Sequence, residues 1–163
     1  MSERFFVELG KEDHVFAAAH FITFNKNVCE RIHGHNYRVR VTVEGLLDEN
    51  AYVVDFIALR DGLKKILLEL DHHVLLPTRH PMIHVAEENG EIVARFEGRR
   101  WVFPIDDCVL MEIQQTTAEL LAKWIGERLL AQWQSEMNWQ PASLVVKVDE
   151  NHEQWGVWEK RIG

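Results

Sequence analysis

Residues 36–45 (NYRVRVTVEG) alternate strictly. Tyr37, Val39, Val41 and Val43 fall on one face, and Arg38, Arg40, Thr42 and Glu44 on the other. That period of two predicts an antiparallel strand with one buried face. Two apolar, partly alternating stretches precede it, FFVEL at 5–9 and HVFAAAHFITF at 14–24, around a turn at 10–13. Helical spacing then takes over: Phe56, Leu59, Leu63, Ile66, Leu67 and Leu70 share a stripe behind Asp55, a suitable N-cap, and the helix should end near Leu70. A second helix opens at Thr116-Thr117-Ala118-Glu119, a capping-box pattern, and runs through Leu120, Leu121, Trp124, Ile125, Leu129 and Leu130. Pro141 marks the loop after it, and SLVVKVDE at 143–150 and WGVWE at 155–159 read as a closing strand pair.

Between the helices, residues 83–85, 91–96 and 99–103 read as short strands joined at Asn89-Gly90 and Glu97-Gly98. Asn-Gly between such runs is a strong hairpin signal. Residues of about 76–115 therefore read as a small β insertion. The order is β-β-α, an inserted meander, then α-β-β. This predicts an α+β domain with both helices on one face of an antiparallel sheet. No repeat or linker divides the chain, so residues 1–163 are expected to form a single domain.

Composition narrows the function. Lys and Arg number 18 against 26 Asp and Glu, a net charge of −8. So acidic a chain is a poor nucleic-acid binder, and an anionic ligand would need a local basic cluster. No apolar run approaches the roughly 20 residues of a membrane span. The N-terminal residues show no secretory pattern, and two isolated cysteines make no disulfide framework, so a cytoplasmic setting is expected.

The nine histidines change the picture most. In Cys29-Glu30-Arg31-Ile32-His33-Gly34-His35, two histidines two apart on an extended backbone present their imidazoles side by side. His20 offers a third from the neighbouring strand. Three neutral imidazoles with a fourth position open make a catalytic zinc pattern. Cys29 beside the cation would have its pKa lowered and could transfer protons. It could instead be the fourth ligand of a closed, structural site. Asp71-His72-His73 follows the first helix. A carboxylate beside an imidazole orients it for proton transfer, and a polar helix end would present the same residues. Glu30 also reads as a solvated loop carboxylate, and Cys108 as a small buried hydrophobe.

Together FAAAH at 16–20, CERIHGHNY at 29–37, VVDF at 53–56, LDHH at 70–73, TTAELLAKWI at 116–125 and VKVDE at 146–150 resemble the 6-pyruvoyltetrahydropterin synthase family, including its 6-carboxytetrahydropterin synthases of queuosine (7-deazaguanine) biosynthesis. The resemblance spans nearly the whole chain outside residues 76–115. It implies the tunnelling fold (T-fold), a four-stranded antiparallel sheet backed by two helices, assembled as a trimer or a dimer of trimers. It implies Zn2+ on His20, His33 and His35, and Cys29 as the catalytic thiol. Asp71 and His72 would be a second catalytic pair reaching the active site of an adjacent subunit. Glu150 would anchor the pterin, with Thr117 and Glu119 lining the same pocket.

The substrate implied is 7,8-dihydroneopterin triphosphate. A lyase reaction would give 6-carboxytetrahydropterin, acetaldehyde and triphosphate. The short Cys-x-x-x-His-Gly-His spacing resembles the carboxy branch. Glu-x-x-His-Gly-His resembles a folate-branch subgroup that uses glutamate in place of cysteine and forms 6-hydroxymethyldihydropterin. Pyruvoyl chemistry and a catalytically silent pterin- or zinc-binding member are the other readings. Arg79, Arg95, Arg99 and Arg100 of the insertion either meet the triphosphate or form a solvated face.

Overall fold

The computed structural model describes residues 3–10, 14–25 and 28–162. The expected turn at 10–13 falls largely on 11–13, outside the described residues. Five strands precede the first helix: β1 (Phe5–Leu9), β2 (Val15–His20), β3 (Thr23–Phe24), β4 (Val28–Cys29) and the 13-residue β5 (His33–Gly45). Helix α1 (Phe56–Leu70) follows. Then come β6 (His73–Pro77), β7 (His84–Glu88), β8 (Glu91–Phe96), β9 (Arg99–Pro104) and β10 (Cys108–Met111). Helix α2 (Ala118–Met137), β11 (Ser143–Asn151) and β12 (Gln154–Arg161) complete the chain.

β5 organises the main sheet. Its first half pairs antiparallel with β2, its second half with β1, and its other edge with β11, which pairs with β12. Tyr37, Val39, Val41 and Val43 are buried, as the alternation requires, together with Leu144, Val146 and Val148 of β11. Both helices close over this face: α2 packs on β11 and β12, and α1 on β2 and α2. This is the expected α+β architecture.

The caps explain where the helices begin. The Asp55 carboxylate accepts from the Ile57 N–H at 2.6 Å, and the Thr117 hydroxyl accepts from the Leu120 N–H at 3.5 Å. The cap of α2 is thus the second threonine of the pair and not the first. After α1 the chain turns sharply at His72, whose φ of 61° lies in the left-handed region that histidine seldom adopts.

Two features depart from the reading of the sequence. The stretch at 14–24 breaks after His20, and its end forms a separate ribbon, β3 with β4. The insertion is also narrower than 76–115. Its three antiparallel strands β7–β8–β9 span 84–104, whereas β6 and β10 join the main sheet in parallel pairing next to β2 and extend it to seven strands. The insertion has its own small core of Ile83, Ile92, Ala94 and Phe96, which packs on Phe21 and Leu76 of the main body. The Asn89-Gly90 turn has φ of 53° and 81°, the positive values a tight hairpin demands.

Gly156 of β12 ties the sheet to the functional end of α2. A Cβ there would stand 2.5 Å from the carbonyl carbon of Ala118 and the nitrogen of Glu119, backbone atoms of the first turn. Gly156→Ala is therefore expected to cost about 1–3 kcal/mol of stability through overpacking. Urea unfolding measures this, and an unchanged midpoint would show that the turn can shift freely.

Candidate metal centre

The pairing of β2 with β5 sets His20 opposite His33 and Ala18 opposite His35. Their ring centroids lie 4.7 Å (His20–His33), 5.3 Å (His20–His35) and 4.9 Å (His33–His35) apart. One ligand atom from each falls within 4.8 Å of the others. Gly34 sits between them for a steric reason. A Cβ there would approach the Ala18 carbonyl oxygen at 3.1 Å, across the strand pair that brings the histidines together.

The hydrogen bonds fix which nitrogens are free. His20 Nδ1 lies 2.9 Å from the Thr116 carbonyl oxygen, and His33 Nδ1 lies 2.9 Å from that of Arg31. A carbonyl only accepts, so each Nδ1 carries its proton and each Nε2 presents a lone pair. His20 is buried to 1% exposure, and its Nε2 has no hydrogen-bond partner. Burial, and to a lesser degree the two neighbouring imidazoles, push its pKa down to about 4, so it is neutral near pH 7. Nε2 nevertheless faces a Glu150 carboxylate oxygen at 3.3 Å, and His35 Nε2 is 3.8 Å from the same oxygen. An unprotonated nitrogen and a carboxylate oxygen are both acceptors, and a cation on the three imidazoles would offset their repulsion. The donor set fits a divalent metal of the zinc type.

Glu150 is half-buried and receives the Tyr37 hydroxyl at 3.5 Å. Burial raises its carboxyl above the usual range, against the lowering influence of His35 and His33. Burial, followed by the Glu150 charge, likewise raises the Tyr37 phenol.

Cys29 and Glu30 are placed on opposite sides. Cys29 packs on the core of the insertion, its sulfur 3.5 Å from the Glu30 carbonyl oxygen. Burial raises its thiol pKa, with Arg99 pulling the other way. Glu30 turns its carboxylate to the metal-facing side, 4.0 Å from His33 Nε2, and accepts the Ile22 N–H at 3.4 Å. Its side chain is 32% exposed, so it is a partly buried carboxylate beside the histidines.

Asp71 and His72 form a built pair. The Asp71 carboxylate accepts the Ala17 N–H at 2.7 Å and lies 2.9 Å from His72 Nδ1. The Ala17 amide, then His72, hold its carboxyl below the usual range, with burial opposing. The His72 side chain is 81% exposed. It lines an open cleft of about 500 Å3 that borders His35 and Asp107 and to which β2 and β5 present Ala17, Ala19, Gly34 and Asn36. Those strand residues alternate with the inward-facing His20, His35 and Tyr37. The cleft thus opens mainly on the reverse face of β2 and β5, with His35 on its border.

Thr117 is occupied as the cap of α2, and Glu119 is exposed in its first turn. The neighbour that matters to the histidines is Thr116, whose carbonyl orients His20. No sequence signal singles it out. Of the arginines expected at 76–115, Arg79 pairs with Glu112, Arg95 with Glu88, and Arg99 donates to the Cys29 and Glu30 carbonyls. Cys108 packs on the insertion core, where burial pushes its thiol up to about 11. Among the described residues, no helix is long and apolar enough to cross a membrane.

Residues 8–161 match the family model described as 6-pyruvoyl tetrahydropterin synthase. A Methanocaldococcus jannaschii protein assigned by name as a 6-carboxy-5,6,7,8-tetrahydropterin synthase is 33% identical over 134 residues, covering 79% of this chain and 82% of its own. The Aquifex aeolicus 6-carboxy-5,6,7,8-tetrahydropterin synthase is 33% identical over 104 residues, covering 63% and 57%. Among solved structures, the 6-pyruvoyl tetrahydropterin synthase of Plasmodium vivax superposes with a TM-score of 0.91 at 27% identity, covering 99% of this chain and 100% of that one. A variant of that protein, with a catalytic glutamate replaced by alanine, gives a TM-score of 0.90 at 26% identity with the same coverage.

Proposed function

Because this chain belongs to the 6-pyruvoyl tetrahydropterin synthase family, we propose that it is a zinc-dependent lyase acting on 7,8-dihydroneopterin triphosphate. The observation that carries this reading is the convergence of three imidazoles, with the buried Nε2 of His20 unpartnered and aimed at the Glu150 carboxylate. His20, His33 and His35 would hold the ion. It would polarise the oxygens of the substrate side chain and acidify the adjacent C–H bonds. Glu150, a bidentate acceptor inside the site, would take the amino-pyrimidinone edge of the pterin. Thr117 caps α2 directly after Thr116, whose carbonyl orients His20, and Glu119 is assigned to the rim of the same pocket.

Two consecutive residues compete for the proton. In this reading it goes to Glu30, whose carboxylate is 4.0 Å from His33 Nε2, and Cys29 supports the loop from the other side. Catalytic glutamate in the Plasmodium vivax relative supports the same choice. The second proton-transfer group would be His72, oriented by Asp71. Its exposure in an open cleft suits action on the site of a neighbouring copy, in a trimer or a dimer of trimers.

The names of the curated relatives favour 6-carboxytetrahydropterin, with loss of acetaldehyde and triphosphate, and hence a cytoplasmic role in 7-deazaguanine (queuosine) synthesis. The position of Glu30 favours a second product, 6-hydroxymethyldihydropterin. Incubating the zinc-loaded protein with 7,8-dihydroneopterin triphosphate and identifying the pterin by mass spectrometry separates them. Acetaldehyde with the carboxy product is expected under the first reading. The hydroxymethyl product without acetaldehyde supports the second, and no turnover of this substrate defeats both.

A further inference from the structure

We infer that Arg99, on the inserted three-stranded sheet, is a positioning residue that sets the catalytic placement of Glu30. This rests on the reading of Glu30 as the proton-transfer group. Arg99 opens β9 of the inserted sheet, and its guanidinium reaches back to the metal-bearing body. One Nη donates to the Cys29 carbonyl at 2.8 Å and to the Glu30 carbonyl at 2.9 Å. Both peptide oxygens flanking the Glu30 Cα–C unit are thus held by one rigid, planar cation.

The guanidinium is itself braced. Its carbon lies 4.5 Å from the centroid of the Trp101 ring, and Trp101 stacks on Phe21 with centroids 4.4 Å apart. Phe21 is fully buried and directly follows His20. The insertion therefore grips the metal centre at two points, behind the His20 strand through Phe21 and behind Glu30 through Arg99. Arginine suits this task because it keeps its charge and presents several donors in a fixed plane.

Glu30 has few other restraints. Its amide donates to the Ile22 carbonyl at 3.0 Å, and among the described residues its carboxylate accepts the long 3.4 Å bond from the Ile22 N–H. Without the guanidinium, the Cys29 carbonyl loses this donor and the Glu30 carbonyl keeps the weak 3.5 Å thiol contact, so the peptide that follows Glu30 gains freedom to rotate. Such rotation swings the carboxylate relative to His33. A displacement of about 1 Å at a proton-transfer group costs on the order of 10²-fold in rate while leaving binding groups elsewhere in place.

The test compares Arg99→Ala with wild type in the zinc-loaded protein, with 7,8-dihydroneopterin triphosphate as substrate. The expected result is a kcat lower by roughly 10- to 100-fold, with KM within about twofold and zinc content unchanged. Added guanidinium ion should restore part of the rate. Arg99→Lys, which keeps charge without the fork, should fall between the two.

A readout that needs no turnover is amide hydrogen exchange. The peptide spanning 21–31 should exchange faster in Arg99→Ala, while β5 and β11 should not change. Exchange and kcat both unchanged would overturn the proposal. So would a raised KM at constant kcat, which would make Arg99 a substrate contact. Should Arg99→Ala fail to fold, Arg99→Lys carries the same kinetic and exchange comparison. Failure of the underlying reading looks different: Glu30→Gln would then keep full turnover, whatever the exchange of 21–31 in the arginine variants.

Discussion

Replacing His20 with alanine is expected to strip the protein of zinc, from about one ion per chain to less than a tenth of that, and to abolish turnover. His20 is the buried corner of the three-imidazole set, and its ring is fixed by the Thr116 carbonyl. Losing it removes one of three protein ligands from a four-coordinate site and leaves a two-histidine remnant open to water. The same change leaves the Thr116 carbonyl without its partner, which alone costs about 1–3 kcal/mol. His33→Ala separates the two effects. His33 is exposed, so its removal should empty the site with little change in the stability of the metal-free chain. Metal analysis after gel filtration, with unfolding in the presence of a chelator, provides the measurement. Full zinc occupancy in both variants would place the metal elsewhere. Because the ion binds only the folded state, wild type should also melt lower after chelation, and the His33 variant should show no such shift.

The legible parts of the fold were those whose burial has a period. The alternation of Tyr37, Val39, Val41 and Val43 and the stripe from Leu59 to Leu70 both face the same buried layer. Each is therefore written in the spacing of its own residues. Strands β6 and β10 escaped because nothing local defines them. HVLLP is a short apolar run ending in proline, and it becomes a strand by pairing with β10 and with β2, both distant in the chain. The three-histidine cluster was legible for the same reason as the strands. A two-residue spacing keeps His33 and His35 on one face, and FAAAH puts His20 on a strand whose partner could be guessed. The carbonyls that orient them were not legible, since every residue has one and only the fold decides which is near. Nor could spacing alone decide between Cys29 and Glu30. Consecutive residues on an extended chain point to opposite faces, and the register of β4 against β3 determines which of the two meets the histidines.

That choice sets the second large effect. Glu30→Gln is expected to lower kcat by about 10³-fold while zinc content and pterin binding stay near wild type, the scale of losing a positioned general base. Glutamine matches glutamate in shape, and its amide oxygen can still accept the Ile22 N–H, so the change removes charge and basicity with little else. Cys29→Ala should leave kcat within a few-fold of wild type. Its sulfur packs on the insertion, where burial keeps the thiol protonated, so its removal should appear mainly as a stability loss of about 1 kcal/mol. The opposite pair of results, an active Glu30→Gln and a dead but folded, zinc-loaded Cys29→Ala, would return the proton to the thiol. Steady-state rates on 7,8-dihydroneopterin triphosphate, with metal content measured on the same samples, make the comparison. The product formed by the surviving variant carries the argument one step further. If the carboxylate is the working base for one product and the thiol for another, each single variant should lose one product and keep the other.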